Sequence, residues 1–309
     1  MRIVSLLPSA TEIAYALGLG DHVVGVTHEC DYPTQVRDTN VVTRSMLDHT
    51  QASSAEIDAL VSSQRREQLS IYHLEADLLG ELQPDLILTQ ALCDVCAVSY
   101  TTVRQVVRDL GGAPRVLSLE PSDLDGILET ISTVGQATDR LAEATTLVTG
   151  LRQRITKVRQ RAALAPYRPR VVCLEWLDPP FSPGHWLPEM IDLAGGQAVL
   201  GQAGQPSART TWDDVIASKP DIIIAAPCGF DLDQASAEAN ALLPTRQGWE
   251  TLPAVQAGRV YAVNANAYYS RPGPRVIDGL ELLASLIHPD LFAGWGPPDA
   301  AWKACAKHS

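Results

Sequence analysis

The chain carries one short pattern twice, and this repetition predicts its fold. The copies read Leu-Gln-Pro-Asp-Leu-Ile-Leu at residues 82–88 and Ser-Lys-Pro-Asp-Ile-Ile-Ile at residues 218–224. In each copy a helix end is followed by a Pro-Asp turn and then by a continuously apolar run, which is typical of a strand buried on both faces. Because the copies lie in opposite halves of the chain, we expect two similar α/β lobes.

Strand and helix patterns alternate outward from both copies. The predicted strands share a short apolar core and are Arg2–Leu7, His22–Val26, Asp85–Thr89, Arg115–Leu119, Arg170–Glu175, Asp221–Ala225 and Arg259–Val263. Helical patterns separate them, including Leu74–Leu82, Leu187–Leu193 and Pro274–Ile287. Ser9 with Glu12 reads as a capping box at the start of the first helix. Repeated strand-then-helix units predict parallel sheets covered by helices.

A long helical stretch separates the two halves. Residues 138–164 contain no proline and one glycine, and their apolar residues recur at helical spacing. Such a helix would span roughly 40 Å, which suits a strut between lobes. We therefore predict an N-terminal α/β lobe at residues 1–137, a connecting helix at 138–165 and a C-terminal α/β lobe at 166–309. The predicted fold class is α/β, with two Rossmann-like lobes and a ligand cleft between them.

Charge and cysteine content exclude several classes of protein. A net charge of −12 argues against nucleic-acid binding and against docking on an anionic membrane. No apolar run reaches the 18–20 residues that span a bilayer, and the N-terminus lacks the pattern of a secretory signal. Six cysteines in a chain of this length fit reduced thiols. We expect a cytoplasmic protein as the sequence is written, or a periplasmic or cell-surface protein if a leader was removed.

Aromatic and polar residues gather where the predicted strands end. In open parallel sheets, ligands bind outside the carboxyl ends of the strands, and an aromatic lining suits a large, flat, partly apolar ligand. The predicted ligand-binding side chains are Pro8, Ser9, Tyr32, Trp176, Phe181, His185, Trp186, Phe230, Tyr268, Tyr269 and Arg271. His185 is either a ligand of a bound molecule's metal or an exposed loop histidine.

Cysteines also cluster after the strands of the first half. Cys93 and Cys96 form a C-x-x-C that follows a strand and precedes a helix, while His28 and Cys30 follow a neighbouring strand. These four soft ligands could hold zinc or iron or contact cobalt, the two cysteines could form a redox pair, or all could simply pack in the core.

Several longer stretches resemble a known family. These are residues 2–12 (Arg-Ile-Val-Ser-Leu-Leu-Pro-Ser-Ala-Thr-Glu), residues 24–33, residues 179–184 (Pro-Pro-Phe-Ser-Pro-Gly) and residues 270–275 (Ser-Arg-Pro-Gly-Pro-Arg). In order and spacing they resemble the substrate-binding proteins of cobalamin and ferric-siderophore ABC importers, and the cobalamin-binding branch most of all. The resemblance implies two lobes on a helical backbone, with ligand held between them. It also implies one docking carboxylate on each lobe; these fall on Asp77 and Asp213, where the family has Glu.

The residues and the resemblance together predict non-catalytic binding of a corrinoid such as cobalamin, by an importer's substrate-binding component or a cytosolic carrier. We find no G-x-S-x-G, Walker-type phosphate loop or G-x-G-x-x-G after the first strand, so we do not expect an enzyme.

A haem or ferric-siderophore binder is the first alternative, although anionic siderophores call for more cations than Arg271 and Arg209. A cytosolic zinc, iron or redox protein is the second. Expected partners are the small molecule and importer membrane subunits, with the protein itself a monomer.

Overall fold

The structure, a computed structural model, describes residues 1–46, 52–66, 72–90, 100–109, 114–297 and 301–305. The chain forms two compact units joined by one long helix. The first unit comprises Met1–Ala52, Glu56–Pro121 and Gly126–Thr149, and the second comprises Ser53–Ala55, Ser122–Asp125 and Gly150–Ser309. The predicted α/β class with two parallel-sheet lobes and a linking helix is confirmed.

The described strands are β1 (Ile3–Ser5), β2 (Val23–Val26), β3 (Asn40–Val41), β4 (Thr43–Ser45), β5 (Tyr72–Leu74), β6 (Leu86–Thr89), β7 (Arg115–Ser118), β8 (Arg170–Leu174), β9 (Trp176–Leu177), β10 (Pro180–Ser182), β11 (Gln197–Ala198), β12 (Ala208–Arg209), β13 (Ile222–Ala225), β14 (Val260–Val263) and β15 (Trp302–Ala304). The described helices are α1 (Pro8–Ala16), α2 (Ser54–Arg66), α3 (Ala76–Leu82), α4 (Tyr100–Asp109), α5 (Leu124–Ala137), α6 (Leu141–Ala162), α7 (Leu187–Leu193), α8 (Trp212–Ala217), α9 (Leu232–Leu242), α10 (Pro253–Ala257), α11 (Ala265–Tyr268) and α12 (Val276–Ile287).

The first unit is built on a parallel sheet with strand order β3-β2-β1-β6-β7. The two central strands, β1 and β6, are buried along their whole length, which explains their continuously apolar sequences. Val4 and Ile87 pack in one cluster with Leu79 and Leu82 of α3 and with Val103 of α4. The carboxyl ends of β1, β2 and β6 therefore meet at one edge of a well-packed sheet.

The second unit repeats this plan with a sheet of order β11-β8-β13-β14-β15. The first four strands are parallel, and β15 adds an antiparallel edge next to β14. The buried strands β8 and β13 correspond to β1 and β6, because each pair lies side by side in the middle of its sheet. The twice-occurring Pro-Asp pattern thus marks one central strand in each sheet.

A small antiparallel sheet follows β8 in the second unit. Its strand order is β12-β10-β9, and Phe181 of β10 stands opposite Trp176 of β9 on one side and Arg209 of β12 on the other. These strands are two or three residues long, too short for an alternating pattern to reveal them in the sequence.

Three local expectations were wrong. The capping box at Ser9 is absent, because α1 begins at Pro8 and Leu7 is its N-cap; proline fits the first helical position, where its missing N–H costs nothing. Residues 74–82 are not one helix, since Leu74 ends β5 by pairing with Thr43 of β4 and α3 starts only at Ala76. The long helix α6 has 22 residues and is shorter than predicted at both ends.

The buried stripe of α6 is narrower than the apolar pattern implied. Ala144, Leu151 and Val158 recur at seven-residue spacing and are buried, whereas the apolar Leu141 at the helix start is exposed. In the second unit, the guanidinium of Arg154 forms ion pairs with Asp278 and Glu281 of α12 at 2.5 and 2.7 Å. These charged contacts fasten α6 to the final helix of that unit.

Within the described part of the chain, none of the helices combines the length and the apolar character that crossing a bilayer requires.

We predict that Ile87→Ala will lower the free energy of unfolding of the first unit by about 2–5 kcal/mol, because it opens a cavity beside β1. Ile87 has no exposed surface, whereas Val41 on edge strand β3 is 48% exposed. The matched control Val41→Ala should change stability by less than about 0.5 kcal/mol. Urea unfolding monitored by circular dichroism measures both, and equal losses would contradict this account of the core.

Candidate functional site

A network of hydroxyl groups lies at the carboxyl edge of the first sheet. The Thr11 hydroxyl of α1 donates to Ser5 Oγ at 2.8 Å, and Cys30 Sγ lies 3.1 Å from Thr11 Oγ1. Ser5 and Thr11 are fully buried, whereas Cys30 is half-buried in the segment after β2. Cys30 is thus held beside the first helix by a polar contact, which a purely apolar core position would not need.

His28 belongs to a second polar group, which follows β2. The Thr43 hydroxyl donates to Thr27 Oγ1 at 2.9 Å, so its oxygen accepts from the His28 backbone N–H at 3.1 Å and faces His28 Nδ1 at 2.7 Å. A hydroxyl has one hydrogen to donate, and the His28 hydrogen therefore resides on Nδ1. His28 Nε2, 3.3 Å from Glu29 Oε1, then presents either a lone pair or, in the charged ring, a proton shared with the carboxylate.

The other residues predicted in the first unit differ in their exposure. Pro8 and Ser9 form the first turn of α1, where Ser9 is buried, and Tyr32 is 46% exposed. Cys93 and Cys96 lie outside the described residues. Among the residues that are described, no group of three or more His, Cys, Asp or Glu side chains could hold a metal ion. The four-ligand metal site stays a prediction.

In the second unit the small antiparallel sheet aligns three side chains that are distant in sequence. Residues directly opposite one another on neighbouring strands project from the same face, and the register places Trp176, Phe181 and Arg209 in one line across the sheet. The Arg209 guanidinium lies 5.7 Å from the centre of the Phe181 ring. We call these three residues the aromatic row.

The inner end of the aromatic row is held in place by contacts within the second unit. The Trp176 ring meets Phe230, which follows β13, edge to face at 5.4 Å. The Trp176 indole N–H donates to the Ser54 carbonyl at 3.1 Å, and the Ser54 backbone N–H donates to Glu238 Oε1 at 2.9 Å. Because the indole N–H is already bonded, Trp176 can offer a ligand only the surface of its ring.

His185 lies in the turn after β10. Its backbone has a φ of 49°, and its N–H donates to the Gln205 carbonyl at 2.6 Å, so the turn is anchored to the segment before β12. Partial burial lowers the pKa of the imidazole, which is therefore neutral at pH 7. A neutral imidazole keeps a lone pair that can bind a metal.

Two predicted ligand contacts lie instead in the core of the second unit. Trp186 is 6% exposed and its indole N–H donates to the Tyr269 carbonyl at 2.8 Å. The buried Tyr269 hydroxyl donates to the Gly279 carbonyl at 3.1 Å, and burial raises the pKa of this phenol. The reason is packing: both rings fill the space beside α12, and their polar atoms are used there.

The remaining predicted ligand-binding residues follow β14. Tyr268 is half-buried at the end of α11, with the Arg275 guanidinium 5.9 Å from its ring centre, and Arg271 is buried in the following loop.

Asp77 and Asp213, the two predicted docking carboxylates, are each the second residue of a short helix, α3 and α8 respectively, and both are exposed. An exposed carboxylate in the first turn of a helix is well placed for a cationic partner.

Sequence patterns do not place Arg209 among the predicted binding residues and do not single out Thr27 or Thr43. Arg209 occupies a two-residue strand between loops, and no periodic pattern marks such a segment. The alternation Trp176-Leu177 and Pro180-Phe181-Ser182 around a Pro-Pro turn was the one signal that could have placed Trp176 and Phe181 on a shared face. Thr43 lies beside His28 because β3 pairs with β2, with Val41 opposite Val26 and the Val42 N–H bonded to the Val26 carbonyl, and this pairing is a tertiary feature.

Two α/β lobes with aromatic and polar side chains at the strand ends define the class of two-lobed solute-binding proteins. The family model described as "Periplasmic binding protein" matches residues 3–267, and the chain belongs to this family. It is therefore a non-catalytic solute-binding protein of the kind that serves ABC transporters, and the expectation of no enzymatic activity is confirmed.

Individual relatives are distant. An uncharacterized ABC transporter substrate-binding lipoprotein of Bacillus subtilis is 27% identical over 94% of this chain and 81% of its own length. A vitamin B12-binding protein of Vibrio cholerae is 26% identical over 93% of this chain and 88% of its own. The crystal structure of a periplasmic vitamin B12-binding protein of that species has a TM-score of 0.65 at 25% identity, covering 93% of this chain and 96% of the other. A periplasmic haem-binding protein from Roseiflexus has a TM-score of 0.70 at 23% identity, covering 94% and 98% respectively, which shows the shared fold.

We predict that the His185 imidazole titrates below the ordinary value of about 6.5, because burial disfavours its charged form. The unfolded chain then binds this proton more readily, so the free energy of unfolding should fall as the pH drops through the window just below 6.5. Proton NMR of the ring, assigned by the signal lost in His185→Gln, measures the midpoint. A midpoint at or above 6.5 would show that the ring is solvated.

Proposed function

We propose that this protein binds a corrinoid, a cobalamin-like molecule, as the substrate-binding component of an ABC importer. The observation that carries the proposal is the aromatic row, in which Trp176 and Phe181 stand side by side on one face of a small sheet and the Trp176 ring contacts Phe230. The likeness to vitamin B12-binding proteins of Vibrio cholerae supports the same ligand class.

The shape of the aromatic row suits a flat ligand with a large apolar rim. Adjacent strands are about 4.8 Å apart, so neighbouring cross-strand side chains offer a continuous surface wider than one ring. Each stacked aromatic ring contributes about 0.5–1.5 kcal/mol beyond the area that it buries. Arg209 at the end of the row adds a single positive charge, which fits a macrocycle with few acidic substituents better than a highly anionic siderophore.

Haem is the second candidate ligand, because haem iron commonly takes an imidazole ligand and His185 can supply one. The His185 imidazole is neutral at pH 7 because of its lowered pKa, and neutral imidazole is a common axial ligand of haem iron. The same imidazole could also bind cobalt, so the metal alone does not decide between corrinoid and haem. A zinc, iron or redox role for His28, Cys30, Cys93 and Cys96 stays an untested prediction.

We also propose that Asp77 and Asp213 dock the protein on the importer. Both carboxylates are exposed near the start of a short helix, one in each unit, and can pair with arginines of membrane subunits. The Bacillus relative is a lipoprotein and the B12-binding relative is periplasmic. These names support the cell-surface or periplasmic location over the cytoplasmic one.

Absorption titration of the purified protein with hydroxocobalamin, and in parallel with haem, tests the ligand. We expect a saturable spectral change with cobalamin at micromolar or lower concentration. Trp176→Ala and Phe181→Ala should each weaken binding roughly 5- to 30-fold, because each removes about 1–2 kcal/mol of stacking and burial.

Trp302→Ala is the matched control, because Trp302 is an exposed tryptophan of the same unit on edge strand β15. It should bind cobalamin like the wild type. Saturable binding of haem without any spectral response to cobalamin would identify haem, and not a corrinoid, as the ligand. No response to either ligand, with all variants folded, would remove the tetrapyrrole class altogether.

Charge reversal tests the docking carboxylates. Asp77→Lys and Asp213→Lys should each lower uptake of radiolabelled cyanocobalamin roughly tenfold in cells carrying the chain and its own importer, because each reverses one docking ion pair. Cobalamin affinity of the purified variants should stay unchanged. Asp290→Lys, another exposed carboxylate of the second unit, is the control. Undiminished uptake by both variants would exclude these residues from docking.

A further inference from the structure

The Glu175 carboxylate bonds to the ends of two adjacent strands of the small antiparallel sheet, β10 and β12. Glu175 stands between β8 and Trp176, the first residue of the aromatic row. Its Oε1 accepts the backbone N–H of Gly184 at 3.1 Å, and its Oε2 accepts the hydroxyl of Ser207. Gly184 follows β10 and Ser207 directly precedes β12, so one carboxylate holds the neighbouring ends of two adjacent strands.

Strand β12 is short, and a small number of contacts hold it on β10. It consists of Ala208 and Arg209, which pair with Ser182 and Phe181 of β10. Two further hydrogen bonds join the same strands, from the Ser182 hydroxyl to the Ala208 carbonyl and from the Thr210 N–H to the Pro180 carbonyl, at 3.1 and 2.9 Å. A slip by one residue would turn Arg209 to the opposite face of the sheet, because side chains alternate along a strand.

The packing at Gly184 shows how closely the two segments meet. A Cβ atom on Gly184 would lie 2.2 Å from the Ser207 backbone nitrogen, so no other residue fits there without moving the strand. The Glu175 carboxylate bonds at this same point of contact. The close approach of the Gly184 and Ser207 backbones and the bonds to the Glu175 carboxylate therefore favour the same register of β12 on β10.

We propose that Glu175 is a positioning residue: its carboxylate sets the register of β12 on β10 and thereby places Arg209 in the aromatic row beside Phe181. The inference rests on the proposed function where it concerns ligand binding. Its consequence is that Glu175 controls affinity without touching the ligand, through the guanidinium that faces the ligand's polar substituents.

The ionisation of Glu175 offers a spectroscopic test. Burial raises the pKa of the carboxyl group, and the bonds from Ser207 and Gly184 partly offset that rise. The nearby ionisable group is Cys173 on β8, whose thiol pKa burial raises well above its ordinary value, with the charge of Glu175 adding to the effect. Stability from Glu175 is therefore fully present below its unfolded pKa and declines as the pH rises through the higher folded value.

The first experiment uses the ligand-free protein. The Gly184 amide proton should shift with pH as its acceptor Glu175 ionises, and this titration should vanish in Glu175→Gln. In Glu175→Ala the Thr210 amide should exchange with deuterium roughly tenfold faster, because the strand loses a charge-assisted hydrogen bond. Glu175→Gln, whose amide can still accept from Gly184 and donate to Ser207, should restore wild-type protection.

Glu281→Ala is the control for general destabilisation. It breaks the ion pair with Arg154 between α6 and α12 and leaves the small sheet untouched. Thr210 should stay protected in that variant at temperatures where the protein is folded. Unchanged Thr210 protection in Glu175→Ala would overturn the proposal, whatever the protein binds.

The second experiment is a double-mutant cycle on hydroxocobalamin affinity. Glu175→Ala and Arg209→Ala should each weaken binding roughly tenfold, and the double variant should bind no more weakly than the poorer single variant, because Glu175 acts through Arg209. Fully additive losses would overturn the proposed route. If cobalamin fails to bind the wild type, the proposed function fails, while the amide measurements still decide the positioning role.

Discussion

The rest of the structure depends on parallel strand pairing. Parallel strands need crossover connections, and so every strand of β1, β2 and β6, or of β8, β13 and β14, ends at the same edge of its sheet. The buried apolar centres of β1, β6, β8 and β13 hold those edges rigid. Side chains that directly follow neighbouring strands of one sheet therefore lie close together, although dozens of residues separate them in the chain.

The two edges differ in chemistry. The edge of the first sheet is polar, with hydroxyls of Ser5, Thr11 and Thr43 that orient Cys30 and His28. The edge of the second sheet carries a small antiparallel sheet with ring surfaces and a cation. A polar group buried without a partner costs about 1–3 kcal/mol, which explains why the hydroxyls bond one another and why Trp186 and Tyr269 use backbone carbonyls.

Membership of the periplasmic binding protein family accounts for the fold and for the absence of catalysis, whereas relatives at about a quarter identity carry different ligands in their names. In such a family the shared fold brings the strand ends together at one edge of each sheet, and residues of short loops and strands determine which ligand binds. The aromatic row and Glu175 lie in short segments of this kind. Glu175 also illustrates how a partly buried carboxylate, costly in itself, can specify one strand register among several.

By itself the sequence determined the class, the central strands and most helix positions, because continuous apolar runs and helical periodicity act locally and report burial directly. The pattern at residues 82–88 and 218–224 located both sheets, and the strand-end rule predicted a site at Trp176, Phe181 and Phe230, where the structure sets Trp176 beside both of the other rings. Only the tertiary structure decided which face each side chain takes. It buried Trp186 and Tyr269 in the core, paired β2 with β3 so that Thr43 lies beside His28, and set Arg209 opposite Phe181. Those outcomes depend on partners far away in the chain, and strands of two or three residues hold too little pattern to encode them locally.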